Sequence, residues 1–294
     1  MTTRHVIVGV DGSVIAVRAL DLAADEAALH ATALEIVYAV PDLDEAGPVL
    51  ASAASRVGHR HPRLPVVTVP VEGHSAAVLA ERGRGAALTV VGCRSLGGFA
   101  GTLFGSVSRR LAAHAHGPLL VVRGDSPPHL HNEVLLVLDA ENDADTAVYA
   151  IQEAELRNAG LRILRSSAHR YLAPPPVAHR RSGGITWHLP DGDVLVEPRE
   201  RHPLVDLETE GAAPSSTRTL LEATRTADLV VVGCRPDLGG RGRQLGFVAR
   251  TLMHRAHCPV LIVPGGPTGP ATGAVQPHGH GPSASGGARP GREE

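Results

Sequence analysis

LTVVGCRSLGGFAGTLFGSVSRRLAAHAHGPLLVV, from Leu88 to Val122, and LVVVGCRPDLGGRGRQLGFVARTLMHRAHCPVLIV, from Leu229 to Val263, are two versions of one string. Both run strand, glycine-bearing loop, helix, strand. Gly92 stands against Gly233, Cys93 against Cys234, Arg94 against Arg235, Gly105 against Gly246 and His116 against His257. A constant offset of 141 residues over about 35 positions marks two copies of one folding unit. The copies differ where a ligand would be felt: Ser106 follows the last loop glycine in the first, and Phe247 in the second. The first copy reads as able to bind phosphate and the second as worn down.

Working outward, His5–Val10 is a short β-branched run, the signature of a strand buried on both faces. Asp11-Gly12-Ser13 supplies a turn and a helix cap, and Ala16, Ala19, Leu20, Ala23 and Ala27 keep helical spacing to about His30. Ala33–Val40 is a second strand, stopped by Pro41. Residues 41–62 are polar and proline-punctuated, with at most one weak helix. Pro65–Pro70 reads as a third strand, His74–Arg84 as a helix, Ala87–Gly92 as a fourth strand, Ser106–Ala115 as a helix and Pro118–Val122 as a fifth strand. Strands alternating with helices imply a mostly parallel sheet covered on both faces. The pattern does not fix strand order.

The second unit opens with the strand Val134–Asp139, a helix to Ala159 and the strand Leu161–Leu164. Residues 167–213 are irregular, with short strand candidates at Ile185–Leu189 and Val194–Glu197. Pattern returns with a helix at Thr217–Thr224, a strand at Asp228–Gly233, a helix at Phe247–His254 and a strand at Pro259–Val263. The chain thus divides into a first unit at 1–124, a linker at 125–132, a second unit at 133–264 and a Gly/Pro/Ser tail at 265–294 expected to be disordered.

Composition narrows the function. The chain has 294 residues, 43% apolar, enough for two cores of ordinary size. A formal charge of -2 gives no basic face for nucleic acid, and seven aromatic residues are too few for a base-stacking platform. No apolar run approaches the roughly 20 residues of a membrane span, and the N-terminus leads into a strand rather than a signal-peptide core. Three cysteines without a close pair suggest no disulfide framework, so a reduced cytoplasm is the expected location. Cys93 and Cys234 read as small hydrophobes past buried strands. The 17 histidines are scattered, and none has a Cys or carboxylate at metal-ligand spacing in the sequence.

The first loop carries the chemistry. It follows a strand and opens a helix, whose first N–H groups and partial positive charge favour an anion. Gly105 allows close backbone approach, Ser106 and Ser108 add hydroxyls, and Arg94 can pair with phosphate. The loop lies beyond the carboxyl ends of parallel strands, where open α/β sheets bind ligands. It is neither a Walker loop nor a dinucleotide fingerprint. The plain reading, glycines serving only tight packing, stands beside the functional one on spacing alone.

These residues resemble the universal stress protein family, whose nucleotide-binding members carry Gly-x2-Gly-x9-Gly-[Ser/Thr] here. Gly92, Ser95 and Gly105-Ser106 match that spacing, Val8–Ser13 resembles the family's first strand and turn, and His116–Val122 resembles its closing segment. The resemblance covers about residues 4–123 well and 134–264 more loosely. It implies two tandem open, mostly parallel five-stranded sheets with helices on both faces, adenine nucleotide alpha hydrolase-like or Rossmann-like. They would be arranged as an internal pseudo-dimer with Leu119–Arg123 beside Val260–Pro264.

The resemblance also implies a site. Val10, Asp11, Gly12, Ser13 and Val40 would hold adenine and ribose, and Gly92, Arg94, Ser95, Gly105, Ser106, Val107 and Ser108 would surround the phosphates of ATP, with Mg²⁺ as a counterion. Ser95 departs from the family's glycine. In the second unit Pro236 and Phe247 replace two motif positions, and Ala140-Glu141 follows Asp139 in place of Gly-Ser. These changes remove donors and add an acid.

The expected function is a non-enzymatic stress-response protein that binds ATP or another adenine nucleotide in its first unit. It would regulate a protein partner through the loop between Leu96 and Leu103, and a further homodimer is left open. A nucleotide-independent scaffold and a slow ATPase remain as alternatives.

Overall fold

The computed structural model describes residues 4–93, 106–123, 131–138, 144–166, 207–209, 216–236 and 243–265. The first unit runs β1 (Val6–Gly9), α1 (Val14–Leu29), β2 (Leu34–Val40), a 3₁₀ turn (Leu43–Glu45), α2 (Ala46–Arg60), β3 (Val66–Glu72), α3 (Ser75–Arg82), β4 (Leu88–Cys93), α4 (Ser106–His114) and β5 (Leu119–Arg123). The second runs β6 (Glu133–Leu138), α5 (Ala144–Arg157), β7 (Gly160–Arg165), β8 (Leu207–Thr209), α6 (Thr217–Ala223), β9 (Leu229–Pro236), β10 (Arg243–Gln244), α7 (Phe247–Arg255) and β11 (Val260–Pro264).

Each unit lays five strands in parallel, in the order β3-β2-β1-β4-β5 and β8-β7-β6-β9-β11. The expected pairing of last strands is present: β11 runs antiparallel to β5, with Val260 opposite Val121, Leu261 opposite Leu120 and Ile262 opposite Leu119. One expectation needs correction. The two five-stranded halves are not separate sheets but one continuous sheet, because this joint satisfies both edge strands at once. β10 stands apart, folding back antiparallel on the end of β9.

Alternate residues of each central strand feed opposite cores. Val6 and Val8 of β1 point to one face, with Leu120 and Leu261 from the joint; Ile7 points to the other, with Val121 and Val260. Helices α1, α2 and α5 cover the first face through Leu20, Leu50 and Ile151; α3, α4, α6 and α7 cover the second through Leu79, Leu111, Leu220 and Leu252. Both faces being covered explains why these strands read as unbroken apolar runs.

α2 is a second correction. It is a full 15-residue helix, with Ala46, Leu50, Ala53 and Val57 buried along one stripe. Pro48 sits in its first turn, where a missing N–H costs nothing. β8 was not anticipated either. The strand candidates at 185–189 and 194–197, most of the linker and the tail lie outside the described residues.

Helices α1 and α5 occupy corresponding places and end alike. Ala31 (φ 49°) and Asn158 (φ 50°) each take a left-handed conformation just past the helix, while Thr32 N–H and Ala159 N–H donate back to Ala27 and Ala154. Cys93, Cys234 and Cys258 are buried and form no disulfide among the described residues, and burial pushes the Cys258 thiol up to about 12. Among the described residues no helix is long and apolar enough to cross a membrane.

Candidate functional site

Strand order reverses direction at β1, which has β2 on one side and β4 on the other. Such a switch point leaves a crevice beyond the carboxyl ends of the strands. A cavity of about 230 Å³ lies there, lined by Gly9, Val10, Asp11, Ser13, Ile15, Ala16, Val37, Ala39, Ser75, Leu79, Val91, Gly92, Val107 and Ser108. Its walls are apolar where β2 and α3 contribute Val37, Ala39 and Leu79. Its polar side chains are Asp11 and Ser13 from the β1–α1 turn, Ser75 at the start of α3 and Ser108 in the first turn of α4.

The β1–α1 turn is held locally. Gly12 has φ +75°, a conformation other residues rarely adopt, so the turn needs glycine there. Ser13 caps α1: its hydroxyl oxygen accepts from Ala16 N–H at 3.3 Å. Ser13 N–H and Oγ–H both donate to Asp11 Oδ1. Asp11 thus fixes the cap while lining the cavity. Gly9 and Gly92 are needed for packing. A Cβ on Gly9 would stand 2.7 Å from Leu79 Cδ1, and one on Gly92 would stand 3.1 Å from the Ile15 carbonyl oxygen.

Of the residues the sequence singled out, the cavity gathers Val10, Asp11, Ser13, Gly92, Val107 and Ser108. Gly12 shapes the turn without lining it. Val40 is buried in β2, and its carbonyl accepts from Gly73 N–H at 3.2 Å. Arg94, Ser95 and Gly105 lie outside the described residues; Ser106 heads α4, but its side chain is likewise not described. Ser108 is 1% exposed, so its hydroxyl belongs to the interior rim of the cavity. Sequence reasoning did not assign the other lining residues to the site, Val37, Ala39, Ser75 and Leu79 among them. The first two share one face of β2 by strand alternation, the one signal that could have found them.

The corresponding place in the second unit is built differently. Arg235 and Pro236 pair with Gln244 and Arg243 in the β9–β10 hairpin. Gly246 caps α7 with no side-chain hydrogen bond, and Phe247 is 57% exposed at the helix start. β10 lies beside α4 of the first unit, so the second unit's loop touches the helix that opens onto the first unit's cavity. A shallow depression over α2, lined by Ser52, Ser55, Arg56, His59 and Arg60, comes from a single helix and lacks a second wall.

The fold and the crevice define a tandem, doubly wound α/β protein with its cavity at a strand switch point. The universal stress protein family model matches twice, over residues 2–123 and 131–264, and the chain belongs to that family. Universal stress protein Rv1996 of Mycobacterium tuberculosis is 29% identical over 316 aligned positions, covering 92% of this chain and 98% of its own. Universal stress protein Rv2623 of the same organism is 29% identical, covering 87% of this chain and 95% of its own. A solved universal stress protein from Archaeoglobus fulgidus superposes with a TM-score of 0.60 at 14% identity, covering 90% of this chain and 99% of its own, a likeness of fold.

Proposed function

We propose that the first unit binds an adenine nucleotide, ATP foremost, and that the chain regulates a partner protein in a stress response according to nucleotide state. The observation that carries this reading is the cavity at the β1/β4 switch point. Apolar walls at Val37, Ala39 and Leu79 suit a flat base, and Asp11 suits ribose hydroxyls. The phosphates would extend toward the start of α4, because the partial positive charge of a helix N-terminus favours negative charge. Mg²⁺ would travel with the phosphates. The cytoplasm, where ATP is abundant and thiols stay reduced, is the fitting location.

Binding is favoured over turnover. Among the described lining residues Asp11 is the only ionisable group, and Ser13 already engages its carboxylate. Hydrolysis needs a group to orient water, and none is supplied by those residues. The second unit is structural in this reading, because the β9–β10 hairpin and Phe247 replace the features that suit phosphate. Its hairpin beside α4 offers a route by which nucleotide at the first unit reaches the second.

Ser108→Leu fills the cavity from α4 and Gly105→Leu blocks the loop. Each should weaken ATP at least tenfold in calorimetry while leaving the far-ultraviolet circular dichroism unchanged. Unaltered affinity in both variants would place the nucleotide elsewhere.

A further inference from the structure

The two units are braced by four ionisable side chains on the face covered by α1 and α5. Glu26 lies on α1 and His30, four residues on, caps its end, and Glu153 and Arg157 take the corresponding places on α5. Arg157 Nη2 donates to Glu26 Oε1 at 2.5 Å, and Arg157 Nη1 donates to Glu153 Oε2. Each carboxylate therefore spends one oxygen on Arg157 and turns the other toward His30. His30 Nε2 is 3.6 Å from Glu26 Oε2 and 3.7 Å from Glu153 Oε1. Three donor atoms, one from each residue, lie within 4.8 Å of one another.

Glu26 is 5% exposed and Glu153 6% exposed. Glu26 Oε2 and His30 Nε2 are both buried and make no hydrogen bond. A buried carboxylate oxygen without a donor is costly, so something positive belongs between these atoms. A proton on His30 supplies charge, but at these separations it bonds neither carboxylate well. A metal ion engages all three atoms together. Tetrahedral coordination with bonds of about 2.0–2.1 Å places donors about 3.4 Å apart, so two of the separations need close only by a few tenths of an ångström.

We propose that Glu26 Oε2, His30 Nε2 and Glu153 Oε1 form a site for a first-row divalent metal ion, Zn²⁺ by best fit, that staples the first unit to the second. One nitrogen and two oxygens suit zinc or a neighbouring transition ion, whereas Ca²⁺ and Mg²⁺ want six or more oxygens. Arg157 holds the far oxygens as an outer partner, fixing both carboxylates before the ion arrives. With Arg157 and a divalent ion the cluster carries one net positive charge. A bound hydroxide in the fourth position cancels it, and such a charge lowers the pKa of the bound water. His30 is partly exposed, which leaves an entry path.

The test uses the full chain, stripped with EDTA and dialysed. Co²⁺ is titrated by visible absorption and Zn²⁺ by competition with a chromophoric chelator, in the wild type, His30→Gln, Glu153→Gln and the control His257→Gln. The expected result is one equivalent with a low-coordinate Co²⁺ band that Zn²⁺ displaces, and a melting temperature raised by Zn²⁺. His30→Gln and Glu153→Gln should each weaken binding at least tenfold and lose the band, while His257→Gln retains both. The site is overturned if the wild type binds no more tightly than His30→Gln, which would mean that the other histidines supply the background. Melting unchanged by Zn²⁺ in the wild type overturns it equally and leaves a proton as the occupant.

Discussion

Replacing Arg157 by Met keeps the length and apolar stem of the side chain and deletes its charge. Glu26 and Glu153 then remain in the interior, 5% and 6% exposed, without the cation that binds an oxygen of each. Breaking a buried ion pair from one side costs about 3–5 kcal/mol, because the orphaned charge stays desolvated. Two carboxylates share this loss, so the upper half of that range is expected at pH 8 in the presence of EDTA. The cost should shrink toward pH 5. Burial already raises the Glu153 carboxyl above its ordinary value, and without Arg157 both acids take up protons more readily.

The wild type carries its own pH signature. Burial pushes Glu26 up, but the pull of His30 and Arg157 outweighs it, so its pKa is lowered; its stabilisation is present above the ordinary carboxylate range and lost as pH falls below it. The Glu26 carboxylate holds the His30 imidazole above its ordinary value. That contribution is complete below about 6.5 and is lost as pH rises through the folded-state value. The raised Glu153 acts in the same sense as His30. Urea unfolding of wild type and Arg157→Met at pH 5, 6.5 and 8, followed by circular dichroism, measures all of this. A loss below 1 kcal/mol at pH 8, or one that grows as pH falls, would refute the reasoning.

Three further outcomes are expected. Ala31→Gly should stabilise the chain by roughly 0.5–1 kcal/mol in urea unfolding, because Ala31 holds φ 49° at a cost of about 1–2 kcal/mol that glycine relieves, less glycine's own entropy. A chain ending at residue 124 should self-associate, since it exposes the β5 edge that β11 covers; sedimentation should show a dimer, and a stable monomer would contradict the role given to the joint. The three cysteines, all buried and with the Cys258 thiol raised to about 12, should resist Ellman's reagent at pH 8 and react only in denaturant.

The strands were legible because a strand covered on both faces must be apolar along its buried stretch, and β1, β4, β6, β9 and β11 are, apart from Thr89, Glu133 and Arg235. The β1–α1 turn was legible because Gly12 and Ser13 do what only a few residue types can. Helix α2 was hidden by Gly47, Pro48 and Gly58, which lower local propensity while the stripe of Ala46, Leu50, Ala53 and Val57 still finds a core. Part of the cavity was read from Val10, Asp11, Ser13, Gly92, Val107 and Ser108. The rest, Val37, Ala39, Ser75 and Leu79 among it, carries ordinary residues whose role comes from strand order. The cluster at Glu26 and Arg157 joins residues 131 apart. Reading the histidines as scattered overlooked Glu26, one helical turn before His30, and the third donor, Glu153, arrives only when α1 and α5 meet. Local pattern cannot show what topology brings together.

Calorimetric titration of the full chain with ATP and Mg²⁺, fitted for the number of sites, bears most directly on the nucleotide reading. One site per chain, lost in Ser108→Leu, is the predicted result. No heat at millimolar ATP, or two equivalent sites, would contradict it.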